Sequence, residues 1–378
     1  MKIILAIALF ATVAGALLST KTLVNIDNTI ATAKETARPA NVKIIKITTP
    51  NCADCFNLDS VVADFKKQNI NVEDEKTLVL DSPEASAEIM KLGIKKVPTF
   101  LVTGENTKSN LESFVESYGE ITNDTFVFTK VSPIFIDTKT NKEIGRVEAT
   151  IITDSSCAKC FDPKLALEGL KKSGVKVVNQ KEVAWNSLEG QKIINNYKIL
   201  KVPSLLLSSD IDLYENIKSS WPNIGSVEED KTYVLRNLSL PYRDLEKQQI
   251  LGLVDLIYLV DSSCSDCYKP DVIQKPILKQ GYGLGIRSER SVDIASTEGK
   301  GLIGKYNITK IPTFILSPDA KLYSNLANDW EGVGTVELDG QFVFREMQSL
   351  RGSVYKDLST NQIVGKAETA PTSIETKE

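Results

Sequence analysis

Asn51-Cys52-Ala53-Asp54-Cys55 returns as Ser156-Cys157-Ala158-Lys159-Cys160 and again as Ser263-Cys264-Ser265-Asp266-Cys267. The first cysteines of these pairs lie 105 and 107 residues apart, and the pairs use all 6 cysteines of a 378-residue chain. A fixed period marks repeated structural units. At domain size, each unit can bury a core of its own.

Working outward, each pair follows a run rich in β-branched residues, Val42 to Thr48, Ala149 to Thr153 and Leu256 to Val260, which reads as a strand. Behind the first pair, Leu58, Val61, Val62 and Phe65 fall on one helix face, and Leu165, Leu167 and Leu170 repeat the pattern. The cysteines therefore sit at a strand-to-helix junction. A second alternation runs from Thr77-Leu78-Val79-Leu80 into Ser82-Pro83-Glu84, a capping residue with proline in the first turn. Ser187-Leu188-Glu189 and Ser296-Thr297-Glu298 match it, and each glutamate stands 14 residues before a proline.

That proline lies in a repeated phrase: Gly93-Ile94-Lys95-Lys96-Val97-Pro98-Thr99, Lys198-Ile199-Leu200-Lys201-Val202-Pro203-Ser204, and Asn307-Ile308-Thr309-Lys310-Ile311-Pro312-Thr313. A closing phrase also recurs without gaps, from Asp137 to Gly145, Asp244 to Gly252 and Asp357 to Gly365. Its turn formers, such as Thr140-Asn141-Lys142, predict a short strand pair. Trp185, Trp221 and Trp330 read as packing residues.

Strand, Cys-x-x-Cys, helix, strand, helix, then Val/Ile-Pro-Thr/Ser before another strand: across residues 42–365 this order resembles the thioredoxin superfamily, three times over. The resemblance implies an α/β fold of three tandem thioredoxin-like domains, each with a mixed central sheet flanked by helices. It implies that Pro98, Pro203 and Pro312 are cis and lie beside the dithiols, with Val97, Val202 and Ile311 as substrate-binding neighbours. The expected limits are 42–146, 147–252 and 253–366, preceded by a signal peptide or membrane anchor at 1–20 and a linker at 21–41. A disordered tail is expected at 367–378.

In thiol–disulfide exchange the nucleophile is a thiolate, which helix N-terminal amides stabilise. Cys52, Cys157 and Cys264 are accordingly expected to be exposed attackers, with Cys55, Cys160 and Cys267 resolving the mixed disulfide. The intervening dipeptides Ala53-Asp54, Ala158-Lys159 and Ser265-Asp266 are not the Gly-Pro, Gly-His or Pro-His of the best-known members. Because aspartate raises and lysine lowers a neighbouring thiol pKa, Cys157 is expected to be the most acidic thiol.

Composition narrows the remaining chemistry. The chain has no histidine, which removes Ser-His and Cys-His nucleophile pairs and imidazole metal sites. Its net charge is -4, and no basic footprint for nucleic acid appears. One pair supplies two of the four ligands zinc needs, so no metal is assigned. No cofactor is assigned either, since Gly281-Tyr282-Gly283-Leu284-Gly285 trails a helix and lacks dinucleotide-loop spacing. Lys2 followed by an apolar or small run over residues 3–18 reads as an export element or membrane tether. That predicts an extracytoplasmic protein, in surroundings where disulfides persist. Its expected partners are protein thiol or disulfide substrates and a redox partner of unknown identity. Two alternatives stay open, a redox-inactive binding scaffold with structural disulfides and a carrier of copper or zinc.

Overall fold

A computed structural model of the protein describes residues 29–365 apart from 31 and 351. The apolar run at 3–18 and the tail at 367–378 lie outside the described residues. No helix among the described residues is long and apolar enough to cross a membrane.

In the first repeat β1 (Ala40–Thr48) leads to α1 (Leu58–Lys66), β2 (Ile70–Val79) and α2 (Pro83–Leu92). Then follow β3 (Lys96–Val97), β4 (Thr99–Gly104), α3 (Glu112–Tyr118), β5 (Gly119–Thr122), β6 (Thr125–Phe128), β7 (Phe135–Asp137) and β8 (Lys142–Ile144). The main sheet has the order β2-β1-β4-β6-β5, with β1 parallel to β2 and antiparallel to β4. The period of two in β1 serves both faces of the sheet. Ala40, Val42 and Ile44 pack with Leu58, Val62, Phe65 and a group of phenylalanines. Ile47 points the other way, into a cluster with Ala85, Leu92, Leu101 and Cys52.

The same order recurs in the sheet of Val177–Ala184, Val147–Thr153, Ser204–Leu207, Tyr233–Leu235 and Gly225–Val227. It recurs again in Gly285–Asp293, Leu253–Val260, Thr313–Leu316, Phe342–Phe344 and Gly334–Val336. Three mixed sheets flanked by helices thus follow one another along the chain, and the architecture is three tandem thioredoxin-like domains. Ser82, Ser187 and Ser296 cap the second helix of each repeat, accepting from the amides of Ala85, Gly190 and Gly299.

The closing phrases form hairpins, and each hairpin extends the two residues before the repeated proline into a second, three-stranded sheet. The orders are β3-β7-β8, then Lys201–Val202 with Tyr242–Asp244 and Gln249–Leu251, then Lys310–Ile311 with Tyr355–Asp357 and Gln362–Val364. Each hairpin ends on a glycine with positive φ, Gly145 at 102°, Gly252 at 82° and Gly365 at 90°. A Cβ on Gly145 would stand 2.4 Å from the Pro133 side chain, so the turn admits no larger residue without moving its neighbour.

Two compact units are distinguished by their internal contacts: residues up to Val147 together with Asp210–Glu215, and the remainder, which holds the second and third sheets. Within the first, Asp210 accepts from the Gly145 amide at 2.8 Å and Tyr214 donates to its carbonyl at 2.7 Å. Within the second, Asp319 and Tyr323 treat Gly252 alike, at 3.0 and 2.6 Å. Part of the segment expected to be a linker is ordered. Residues 32–37 are helical, and Arg38 bridges Glu35 and Glu105.

Candidate functional site: three disulfides and three cis prolines

Each Cys-x-x-Cys pair is a closed disulfide, Cys52–Cys55, Cys157–Cys160 and Cys264–Cys267, with Cα atoms 5.3, 5.3 and 5.4 Å apart. The Val97–Pro98, Val202–Pro203 and Ile311–Pro312 peptides are cis. In the first domain Cys52 and Val97 pack in one buried cluster. The hydroxyl after each proline is buried and donates to a neighbouring strand: Thr99 to Phe128 O, Ser204 to Leu235 O and Thr313 to Phe344 O, at 2.6, 2.8 and 2.5 Å. These bonds satisfy the buried hydroxyls and tie each proline loop to its sheet.

The junction differs from the sequence expectation in one respect. The helices open six residues after the first cysteine, at Leu58, Pro163 and Pro270. The pairs instead form separate turns in which the second cysteine's amide donates to the first one's carbonyl, at 3.2, 3.1 and 3.3 Å. Helix-end stabilisation falls off within a turn, and the helices' own first turns begin six residues beyond Cys52, Cys157 and Cys264.

Exposure also differs from expectation. Cys52, Cys157 and Cys264 are only 7%, 6% and 9% exposed, while Cys55 and Cys160 are half-buried. Val97, Val202 and Ile311 are fully buried, and Pro98, Pro203 and Pro312 are buried with them. The hairpins account for part of this. Val97 pairs with Ile136, Val202 with Arg243, and Ile311 with Lys356, so the backbone edge beside each cis proline is already occupied by the chain itself. The residue after each second cysteine joins the same cover: Phe56, Phe161 and Tyr268 donate their amides to Ile134, Pro241 and Val354 at 2.7 to 2.8 Å.

Two of the three dipeptide charges have partners in more distant parts of the chain. Asp54 pairs with Arg146 at 3.1 Å, and Lys159 donates to the Ile286 carbonyl at 2.7 Å.

Sequence reading missed two buried carboxylates, each three residues before a first cysteine. Asp154 accepts from the amide and hydroxyl of Ser156 and from Arg243 Nε at 2.7 Å. Asp261 accepts from the amide and hydroxyl of Ser263 and from Lys356 Nζ at 2.8 Å. Burial opposes the charge of Asp154, yet the bonds from Ser156 and Arg243 outweigh it and hold the carboxyl below its usual range. Asp261 behaves alike, with burial opposed by Lys356 and Ser263. The signal was present as the identical phrase Asp-Ser-Ser-Cys at 154–157 and 261–264. Thr49 takes this position in the first repeat.

The third site carries one more polar group. Tyr268 donates to the carbonyl of Pro312 at 2.8 Å, and burial pushes its hydroxyl pKa well up. Gln274 donates to Tyr268 at 3.3 Å, while its own buried Oε1 accepts from no protein group. Among the described residues, no group of three or more cysteines and carboxylates is arranged to hold a metal ion.

No family model matches the chain, and no curated protein matches it. Solved structures with some likeness include the alkylhydroperoxide reductase component AhpF of Enterococcus faecalis, at 14% identity and TM-score 0.15, covering 45% of this chain and 83% of that one. Full-length ERdj5 is similar at 11% identity and TM-score 0.15, over 74% of this chain but only 43% of ERdj5. A protein disulfide oxidoreductase from Aeropyrum pernix follows at 15% identity and TM-score 0.14, over 50% of this chain and 88% of that one. Likenesses this weak carry no argument about activity. The chain's own geometry defines its class: tandem thioredoxin-like domains, each holding a Cys-x-x-Cys disulfide.

Proposed function

We propose that the chain is an exported thiol–disulfide oxidoreductase or isomerase acting on protein cysteines. The reading includes the domain limits given above, a signal peptide or membrane anchor at 1–20 with its apolar run at 3–18, and the roles assigned to the cysteines and to the residues around the cis prolines. One observation carries it: in every repeat a closed Cys-x-x-Cys disulfide follows a strand that pairs with the strand starting just after a cis proline. Disulfides of this kind persist outside the reducing cytosol.

In the reduced state a cysteine thiolate attacks a substrate disulfide and forms a mixed disulfide while the substrate's second sulfur leaves as thiolate. The partner cysteine then displaces the first substrate sulfur. Two electrons pass to the substrate, whose thiolates take up protons, and the Cys-x-x-Cys pair ends oxidised. The reverse sequence oxidises a dithiol.

The burial of Cys52, Cys157 and Cys264 favours a second reading, a binding scaffold whose disulfides are structural. Assays of insulin reduction and of reactivation of a scrambled disulfide protein separate the two. Turnover that disappears when Cys52, Cys157 and Cys264 are all changed to Ser supports exchange. An inactive full chain whose disulfides resist glutathione supports the scaffold.

A further inference from the structure

Two of the three disulfide turns are braced by a buried acid–cation pair, and the first is not. We propose that Arg243 and Lys356 are positioning residues that latch the closing hairpins over the Cys157–Cys160 and Cys264–Cys267 disulfides. Those pairs then admit a reductant more slowly than Cys52–Cys55. The proposal rests on reading the pairs as exchange sites.

Reduction by a dithiol begins when its thiolate attacks one sulfur in line with the S–S bond. A mixed disulfide forms and the other cysteine leaves as thiolate. The reductant's second thiolate then closes the reductant's own disulfide, and both cysteines take up protons. The attack needs an open approach, and the first cysteine of every pair is at most 9% exposed. Moving the hairpin strand is one way to open it, since that strand lies against the turn in each repeat.

What holds the strand down differs between domains. In the first, Ile134 and Ile136 pack in the cluster that contains Cys52, and the position matching the two aspartates is Thr49. Displacing β7 there costs backbone pairing and apolar contact. In the second domain Arg243, paired across the strand from Val202, reaches the Asp154 carboxylate and also donates to the Ser156 hydroxyl at 2.7 Å. The ring of Trp185 lies 5.1 Å from its guanidinium. In the third domain Lys356 makes the corresponding reach to Asp261 from its place opposite Ile311. The Asp154 and Asp261 side chains are 1% and 6% exposed. Lifting either hairpin away would leave a buried carboxylate without its cation, which is the costly outcome for a buried pair.

The test is the rate at which each disulfide of the oxidised full-length chain is reduced by dithiothreitol, read by quenching with an alkylating agent and resolving the three pairs by peptide mass spectrometry. The wild type is expected to lose Cys52–Cys55 first. Arg243→Met speeds reduction of Cys157–Cys160 by about tenfold or more and leaves Cys264–Cys267 within about twofold, and Lys356→Met does the converse. Arg243→Lys and Lys356→Arg stay near the wild-type rates, because the two domains already use either cation at this position. Where Arg243→Met fails to fold, Asp154→Asn, which keeps the shape and removes the charge, carries the same expectation. Equal rates for the three wild-type pairs overturn the proposal. So do methionine variants within about twofold of wild type, acceleration of all three pairs together, or a lysine variant as fast as the methionine one. Dithiothreitol rates are read whether or not the chain turns over a protein substrate, so failure of the enzymatic reading and failure of the latch are separate results.

Discussion

The first and third domains reach the same backbone arrangement with different side chains packed on it. In the first, Phe65, Phe100, Phe114, Phe126 and Phe128 form a network of rings with centroids 5.0 to 6.4 Å apart, and Phe56 stacks on Phe128 at 5.7 Å. In the third, Tyr268 replaces Phe56 and bonds the cis-proline carbonyl, Gln274 replaces Val62, and Asp261 with Lys356 replaces Thr49 with Ile136. Sheet order, cis proline and disulfide spacing survive the exchange. Register and turn geometry thus fix where the disulfide sits, while the adjoining side chains remain free to set how firmly it is covered.

The contrast breaks most visibly under loss of a ring. Phe65→Ala should cost the first domain about 3 to 5 kcal/mol, since Phe65 is 1% exposed and touches several rings. Hydrogen exchange should show the loss in residues 40–128, and an equal loss in the third sheet would mean that the cores are not separate. Gln274→Leu adopts the residue found at the matching position of the second domain, Leu167. By removing an unsatisfied buried acceptor it should stabilise the third domain by about 1 kcal/mol in denaturant titration. A loss of that size would instead show that the Gln274 bond to Tyr268 outweighs the orphaned oxygen.

Acid sharpens the comparison further. Asp154 and Asp261 have folded pKa values below their unfolded ones, so their contribution is complete above about pH 4 and is lost as pH falls through the folded values. Exchange protection of the turns at 154–160 and 261–267 should therefore fall on acidification more than that of the turn at 49–55. Uniform loss would remove the distinction. The smallest effect belongs to Arg146→Ala. Its partner Asp54 has a side chain 60% exposed, and such pairs are worth within about 0.5 kcal/mol. A thermal shift beyond a degree or two would show that Arg146 does more than hold its surface pairs with Asp54 and Glu143.

The three-fold repeat, the helix caps at Ser82, Ser187 and Ser296 and the closing hairpins were legible in the sequence, and the cis prolines were implied by the resemblance to the thioredoxin superfamily. Each depends on residues close together in the chain: an ungapped phrase, a serine three residues before the amide it caps, a turn former between two short strands. Period and local backbone preference therefore determined the domain count and the position of each disulfide. Tertiary structure alone decided what faces those disulfides. Arg243 meets Asp154 from 89 residues away, and Lys356 meets Asp261 from 95. Val202 and Ile311 lose their open edge to strands far along the chain, and Lys159 donates to the Ile286 carbonyl. Burial and charge pairing depend on which distant segments the fold brings together, and no local pattern specifies that.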